Sequence, residues 1–98
     1  MDFRVEITNP AIADLAEIVS YIAQDNPKAA ATVGNNLLDA VLSLARNPQK
    51  GSAYPKLANI RKLTVRPFKI FYRVNGARKT VEVLGFWHLL GENQDSDF

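Results

Sequence analysis

The apolar residues of this chain change their period once. Between residues 10 and 44 they recur three and four apart; from residue 60 to 87 they alternate with polar ones. The first spacing is one face of a helix, the second one face of a strand. A chain of 98 residues that switches in this way can hold one domain in which helices come first and a sheet follows.

Asparagine–proline pairs mark the helix boundaries. Asn9-Pro10 and Asn26-Pro27 each offer a capping side chain followed by a proline at the first helical position, where its missing N–H costs nothing. Behind the first pair, Ala11, Leu15, Ile18 and Ile22 form one apolar face, with Asp14 and Glu17 in the half where carboxylates favour the helix dipole. Behind the second pair, Ala30, Val33, Leu37, Val41 and Leu44 form another, and Arg46 with Asn47-Pro48 ends it. The short link between them predicts an antiparallel helical hairpin. Gly34 inside the second helix marks either a close approach of two backbones or a bend.

Before the helices, Phe3 to Ile7 alternates as a strand does. After them, residues 48–59 read as a loop, and strands follow over Ile60 to Val65, Phe68 to Val74 and Val81 to Trp87. Asn75-Gly76 is a strong reversal signal, because both residues tolerate positive φ. The expected order is β-α-α-β-β-β. It is an α+β fold, an N-terminal helical hairpin packed on one face of a small antiparallel sheet. Residues 1–90 form the domain; the polar segment 91–98 is expected to be a mobile tail.

The same alternation sorts the sheet into two faces. Leu63, Val65, Phe68, Ile70, Tyr72 and Val74 suit the side covered by helices. Lys62, Thr64, Arg66, Lys69, Phe71 and Arg73 then share the open side. Cations interleaved with an aromatic ring suit a nucleic-acid backbone with a stacked base, and equally an acidic peptide. Phe86 and Trp87 are consecutive, so one belongs to the core and the other does not.

Charge supports the importance of that side. The net charge is only +2, yet residues 46–79 hold ten Lys and Arg and no Asp or Glu. Such a window is an electrostatic footprint for an anionic partner, unless folding pairs it with the acids of residues 1–45. Other functions are excluded by composition. The absence of cysteine removes disulfide frameworks, thiolate metal sites and thiol nucleophiles. The single histidine, His88, removes a multi-histidine metal site within one chain. No glycine-rich phosphate loop or nucleophile triad is present, so no cofactor and no metal are expected. The charged start and the lack of a long apolar run predict a cytoplasmic protein without membrane contact.

An ordered set of segments resembles the RelE/ParE superfamily, the plasmid-stabilisation toxins of type II toxin–antitoxin pairs. The set is Ile7-Thr8-Asn9-Pro10-Ala11, Asp14-Leu15-Ala16-Glu17-Ile18, Tyr21-Ile22-Ala23 and Asn26-Pro27 with Ala29-Ala30. It continues through Leu44, Pro48 and Gly51, then Arg61-Lys62-Leu63 running into Phe68-Lys69-Ile70-Phe71-Tyr72-Arg73-Val74. Val81-Glu82-Val83-Leu84 and Trp87-His88 close it. The resemblance spans roughly residues 3–88, and the superfamily fold agrees with the order derived above.

The resemblance implies two activities. RelE-like relatives cut messenger RNA in the ribosome, using a basic sheet face and charged or imidazole side chains at the scissile phosphate. ParE-like relatives share the fold but act on DNA gyrase and largely lack that set. Lys69 falls where the RNA-cutting relatives carry Arg, and it lacks the bidentate fork that fits a phosphate. His88 falls at a strand end where relatives of both kinds carry His, and imidazole is the side chain that exchanges protons near neutral pH. Leu89-Leu90-Gly91-Glu92 follows where cutting relatives carry Arg, Lys or Tyr. That departure favours a gyrase inhibitor, which is not an enzyme. The alternatives are a ribosome-dependent endoribonuclease, with Lys69 and His88 catalytic, and a decayed toxin that binds its antitoxin and harms nothing. In every case the resemblance implies a small antitoxin as partner; the open face given by the alternation supplies Lys62, Arg66, Lys69, Phe71 and Arg73 as the contact set for target or nucleic acid.

Overall fold

The computed structural model describes residues 2–89. The expected mobile tail at 91–98 lies outside them. The elements run β1 (Arg4–Ile7), α1 (Asn9–Ala23), α2 (Pro27–Ser43), β2 (Ser52–Ala53), β3 (Ile60–Val65), β4 (Phe68–Asn75) and β5 (Thr80–His88). They form an α+β fold, two helices on one face of a five-stranded sheet ordered β1-β5-β4-β3-β2.

The sheet is mixed where an antiparallel one was expected. β2 to β5 pair antiparallel, but β1 runs parallel to β5, with Arg4 opposite Thr80 and Ile7 opposite Val83. The hairpin of helices between β1 and the rest acts as the crossover that a parallel pair requires. The loop expected at 48–59 contributes the two-residue edge strand β2 against Lys62 and Arg61.

Both helix starts are capped, the first one residue earlier than the sequence implied. Thr8, not Asn9, caps α1: its Oγ1 accepts from the Ala11 N–H at 3.4 Å and donates to the Val83 carbonyl at 2.8 Å. The hydroxyl thereby ties the helix start to β5. Asn26 caps α2 as expected, accepting from the Ala29 N–H at 3.0 Å. α2 ends at Ser43, ahead of Arg46, and is continuous through Gly34. A Cβ at Gly34 would stand 3.3 Å from Val19 of α1, so the glycine serves close helix packing rather than a bend.

The core lies between the hairpin and the sheet. Ala11, Leu37 and Val41 meet Phe68, Ile70, Val83 and Phe86, with Leu15, Ile18, Ile22, Leu63 and Val65 packed around them. A second cluster joins Leu44 to Tyr72 and Val81. Tyr72 is fully buried, and its hydroxyl is satisfied twice: it donates to the Pro48 carbonyl and accepts from the Gly51 N–H, both at 2.9 Å. This pair of bonds anchors residues 48–51 to the sheet. A Cβ at Gly51 would lie 2.6 Å from the Lys62 carbonyl oxygen and 2.8 Å from the Tyr72 hydroxyl, so this position requires a residue without one.

Candidate functional site

One irregularity decides what the open face of the sheet presents. Along β4, Phe68, Ile70 and Tyr72 point into the core, leaving Lys69, Phe71 and Arg73 on the other side. Along β5 the alternation breaks: Phe71 pairs with Gly85 but Tyr72 pairs with Val83, so Leu84 is an extra residue in a bulge. A bulge shifts the period by one. Val81 and Val83 therefore face the core, and so does Phe86, at 3% exposure. Trp87 is turned to the open face, at 45% exposure. Asp14 of α1 braces the bulge: its Oδ2 accepts from the Phe86 N–H at 3.2 Å.

The open face consists of short rows across the strands. One row is Lys62, Phe71 and Gly85; the next is Thr64, Lys69 and Trp87. Three rings lie edge to face along it. Tyr54 and Phe71 have centroids 5.6 Å apart, and Phe71 and Trp87 5.7 Å apart. The Lys69 ammonium stands 5.3 Å from the Phe71 centroid, within range of a cation–π contact.

The cations are less uniform than alternation implies. Lys69 is 3% exposed, although it points to the open side. Alternation assigns a face; it does not count the height of the rings standing beside a side chain. Lys62 is half-buried and Arg66 is exposed in the turn between β3 and β4. Arg73 is exposed, but its Nη1 is 3.2 Å from Oε1 of Glu82, directly opposite on β5. Arg61, from the same basic window, turns to the covered side and donates to the carbonyls of Gly51 and Gln49. So Lys62, Lys69 and Phe71 share one patch, Arg66 sits at its end, and Arg73 belongs to a neighbouring ion pair.

His88 is elsewhere. It pairs with Phe68, whose side chain is in the core, and its ring meets the Phe68 ring edge-on at 5.1 Å. It lines a groove of about 590 Å³ on the helix side, with Asp14, Glu17, Ile18, Tyr21 and Phe86 among its walls. Lys69 and His88 therefore lie on opposite faces of the sheet. Among the described residues no cluster of three or more His, Asp or Glu side chains could hold a metal ion, and no helix is long and apolar enough to cross a membrane.

Sequence reasoning missed Tyr54 and the reach of Asp14, and left open which of Phe86 and Trp87 is exposed; it is Trp87. A glycine inside a strand is a bulge signal, and Gly85 was available to read. Tyr54 sits in a segment without a period. Nothing in the sequence announces that Asp14 reaches across to β5.

Comparison with known proteins adds a family. Residues 5–89 match the family described as ParE toxin of type II toxin–antitoxin system, parDE. Among solved structures, the chain is similar to the chromosomal ParDE system of P. aeruginosa, at 24% identity and a TM-score of 0.76, covering 89% of this chain and 96% of that one. It is similar to the RelBE2 toxin–antitoxin complex of Mycobacterium tuberculosis, at 22% identity and 0.67, covering 90% and 99%. A doubly substituted E. coli RelE toxin in the free state gives 13% and 0.70, covering 98% and 93%. At these identities the structural likeness carries the fold. No curated protein matches the chain in sequence.

Proposed function

The chain belongs to the ParE toxin family of type II toxin–antitoxin systems, and from that premise we propose that it arrests growth by binding DNA gyrase, without chemistry of its own. One observation carries this reading over RNA cleavage: the two side chains a nuclease would need, Lys69 and His88, stand on opposite faces of the sheet. General acid–base catalysis needs its groups within hydrogen-bond reach of one reacting phosphate. A cation buried on one side and an imidazole on the other cannot share it.

The target is met by the open face, through Lys62, Arg66 and Phe71, with Lys69 buried beneath the rings as their support and Arg73 held at the border by Glu82. The same molecule is neutralised by an antitoxin, as complexes of the structurally similar toxins with their antitoxins support. Gyrase acts in the cytoplasm, and the toxin acts there with it.

Purified full-length chain added to gyrase and relaxed plasmid tests the reading. Supercoiling is expected to fall and broken DNA to accumulate, while programmed ribosomes leave their transcript intact. Transcript cleavage that disappears with Lys69→Ala or His88→Ala would restore the nuclease assignment. Soluble, folded chain that affects neither gyrase nor ribosome would identify a decayed toxin.

A further inference from the structure

We propose that the row Tyr54–Phe71–Trp87 is a stacking platform for an unpaired nucleobase, so that the open face takes a single DNA strand. The proposal deepens the gyrase reading, on which it rests, by naming what the face holds in a gyrase–DNA complex. The ligand class follows from three features of the face.

The first is Trp87. It is a large apolar side chain 45% exposed on the open face of the sheet, held there by the Leu84–Gly85 bulge. A ring face beside cations is the surface on which single-stranded nucleic acids stack. The second is rigidity. The Phe71 ring meets Trp87 at 80° and Tyr54 at 75°, so each ring is braced edge-on by its neighbour. A Cβ at Gly85 would stand 3.1 Å from the indole Nε1, so the glycine leaves room for this pose. The third is the placing of charge. Lys69 is directly opposite Trp87, and Lys62 directly opposite Phe71. Lys69 is buried under the rings and holds Phe71 by its cation–π contact, while Lys62 and the exposed Arg66 are the cations that phosphates can reach beside the rings. Thr64 and Arg66, both exposed, extend the patch at its end.

A peptide of acidic residues alone would use the cations and leave the indole uncovered. Duplex DNA would use the cations but keeps its bases stacked inside. An unpaired strand uses both.

Trp87 is the only tryptophan in the chain, so its emission reports the platform directly. The full-length chain is titrated with oligothymidylate, with a duplex of the same length, and with polyglutamate. The single strand is expected to quench Trp87 strongly, the duplex and polyglutamate weakly. With end-labelled oligothymidylate, Trp87→Ala is expected to weaken binding roughly tenfold and Trp87→Phe to retain most of it. Lys62→Ala with Arg66→Ala is expected to lower the salt slope of binding by about 1.4. Circular dichroism melts verify that each variant is folded. Equal quenching by polyglutamate, or unchanged affinity in folded Trp87→Ala, overturns the proposal and leaves the face to an acidic protein partner. The two readings fail separately. A chain that binds the oligonucleotide but leaves gyrase active removes the gyrase target, and one that inhibits gyrase without binding the oligonucleotide removes the platform.

Discussion

At the scale of single residues, the side chains that hold the site in place are polar groups working inside the fold. Tyr72 is the clearest case. Its place in an alternating strand was legible in the sequence; the two bonds its hydroxyl makes to residues 48 and 51 were not, because they depend on a loop without a period. Tyr72→Phe keeps the ring and removes both partners of a buried amide and a carbonyl. It is expected to cost about 1–3 kcal/mol in urea denaturation, with the larger part from the unsatisfied Gly51 N–H. Lys69 teaches the converse. Its face was legible and its burial was not, because burial depends on Phe71 and Trp87 beside it, and the direction of Trp87 is set by a residue inserted elsewhere.

At the scale of elements, the outcome turns on β5. Its existence, its neighbour β4 and the reversal at Asn75-Gly76 follow from period and turn chemistry. So do the two helices and the cap at Asn26. The parallel pairing of β1 does not, since four alternating residues carry no direction; only the crossover through the helices sets it. The bulge at Leu84 separates Phe86 from Trp87 in energy as well as in direction. Phe86→Ala removes a core ring and is expected to cost about 3–5 kcal/mol. Trp87→Ala removes a half-exposed ring and is expected to cost about 1 kcal/mol or less. Thermal and chemical melts of the two variants give the comparison, and a larger loss for Trp87→Ala than for Phe86→Ala would mean that β5 keeps an unbroken period and turns Trp87 inward with Val81 and Val83.

At the scale of the molecule, charge is divided between two sides. The helical hairpin carries Asp14, Glu17, Asp25 and Asp39 against Lys28, while the open sheet face carries Lys62, Lys69 and the Arg73–Glu82 pair, with Arg66 in the turn at its end. Opposite signs on opposite sides orient an approaching partner, and such steering fades as salt shortens the reach of the field. Association with a single DNA strand is therefore expected to slow severalfold between low and physiological salt in stopped-flow measurements, with dissociation changing less. The brace at Asp14 has a further consequence, for behaviour at high concentration. β1 stops at Ile7 opposite Val83, so among the described residues Leu84 to His88 have a strand on one side only. An uncovered strand border recruits other strands, including those of its own kind. The Asp14 carboxylate occupies an amide on that border and brings a negative charge to it. Asp14→Ala leaves the border open, and sedimentation velocity is expected to show folded protein drifting into dimers and larger assemblies as concentration rises. Asp14→Asn, which keeps an acceptor, is expected to remain closer to the parent chain. A carboxylate that reads in the sequence as a helix-dipole partner is thus also expected to guard a strand border.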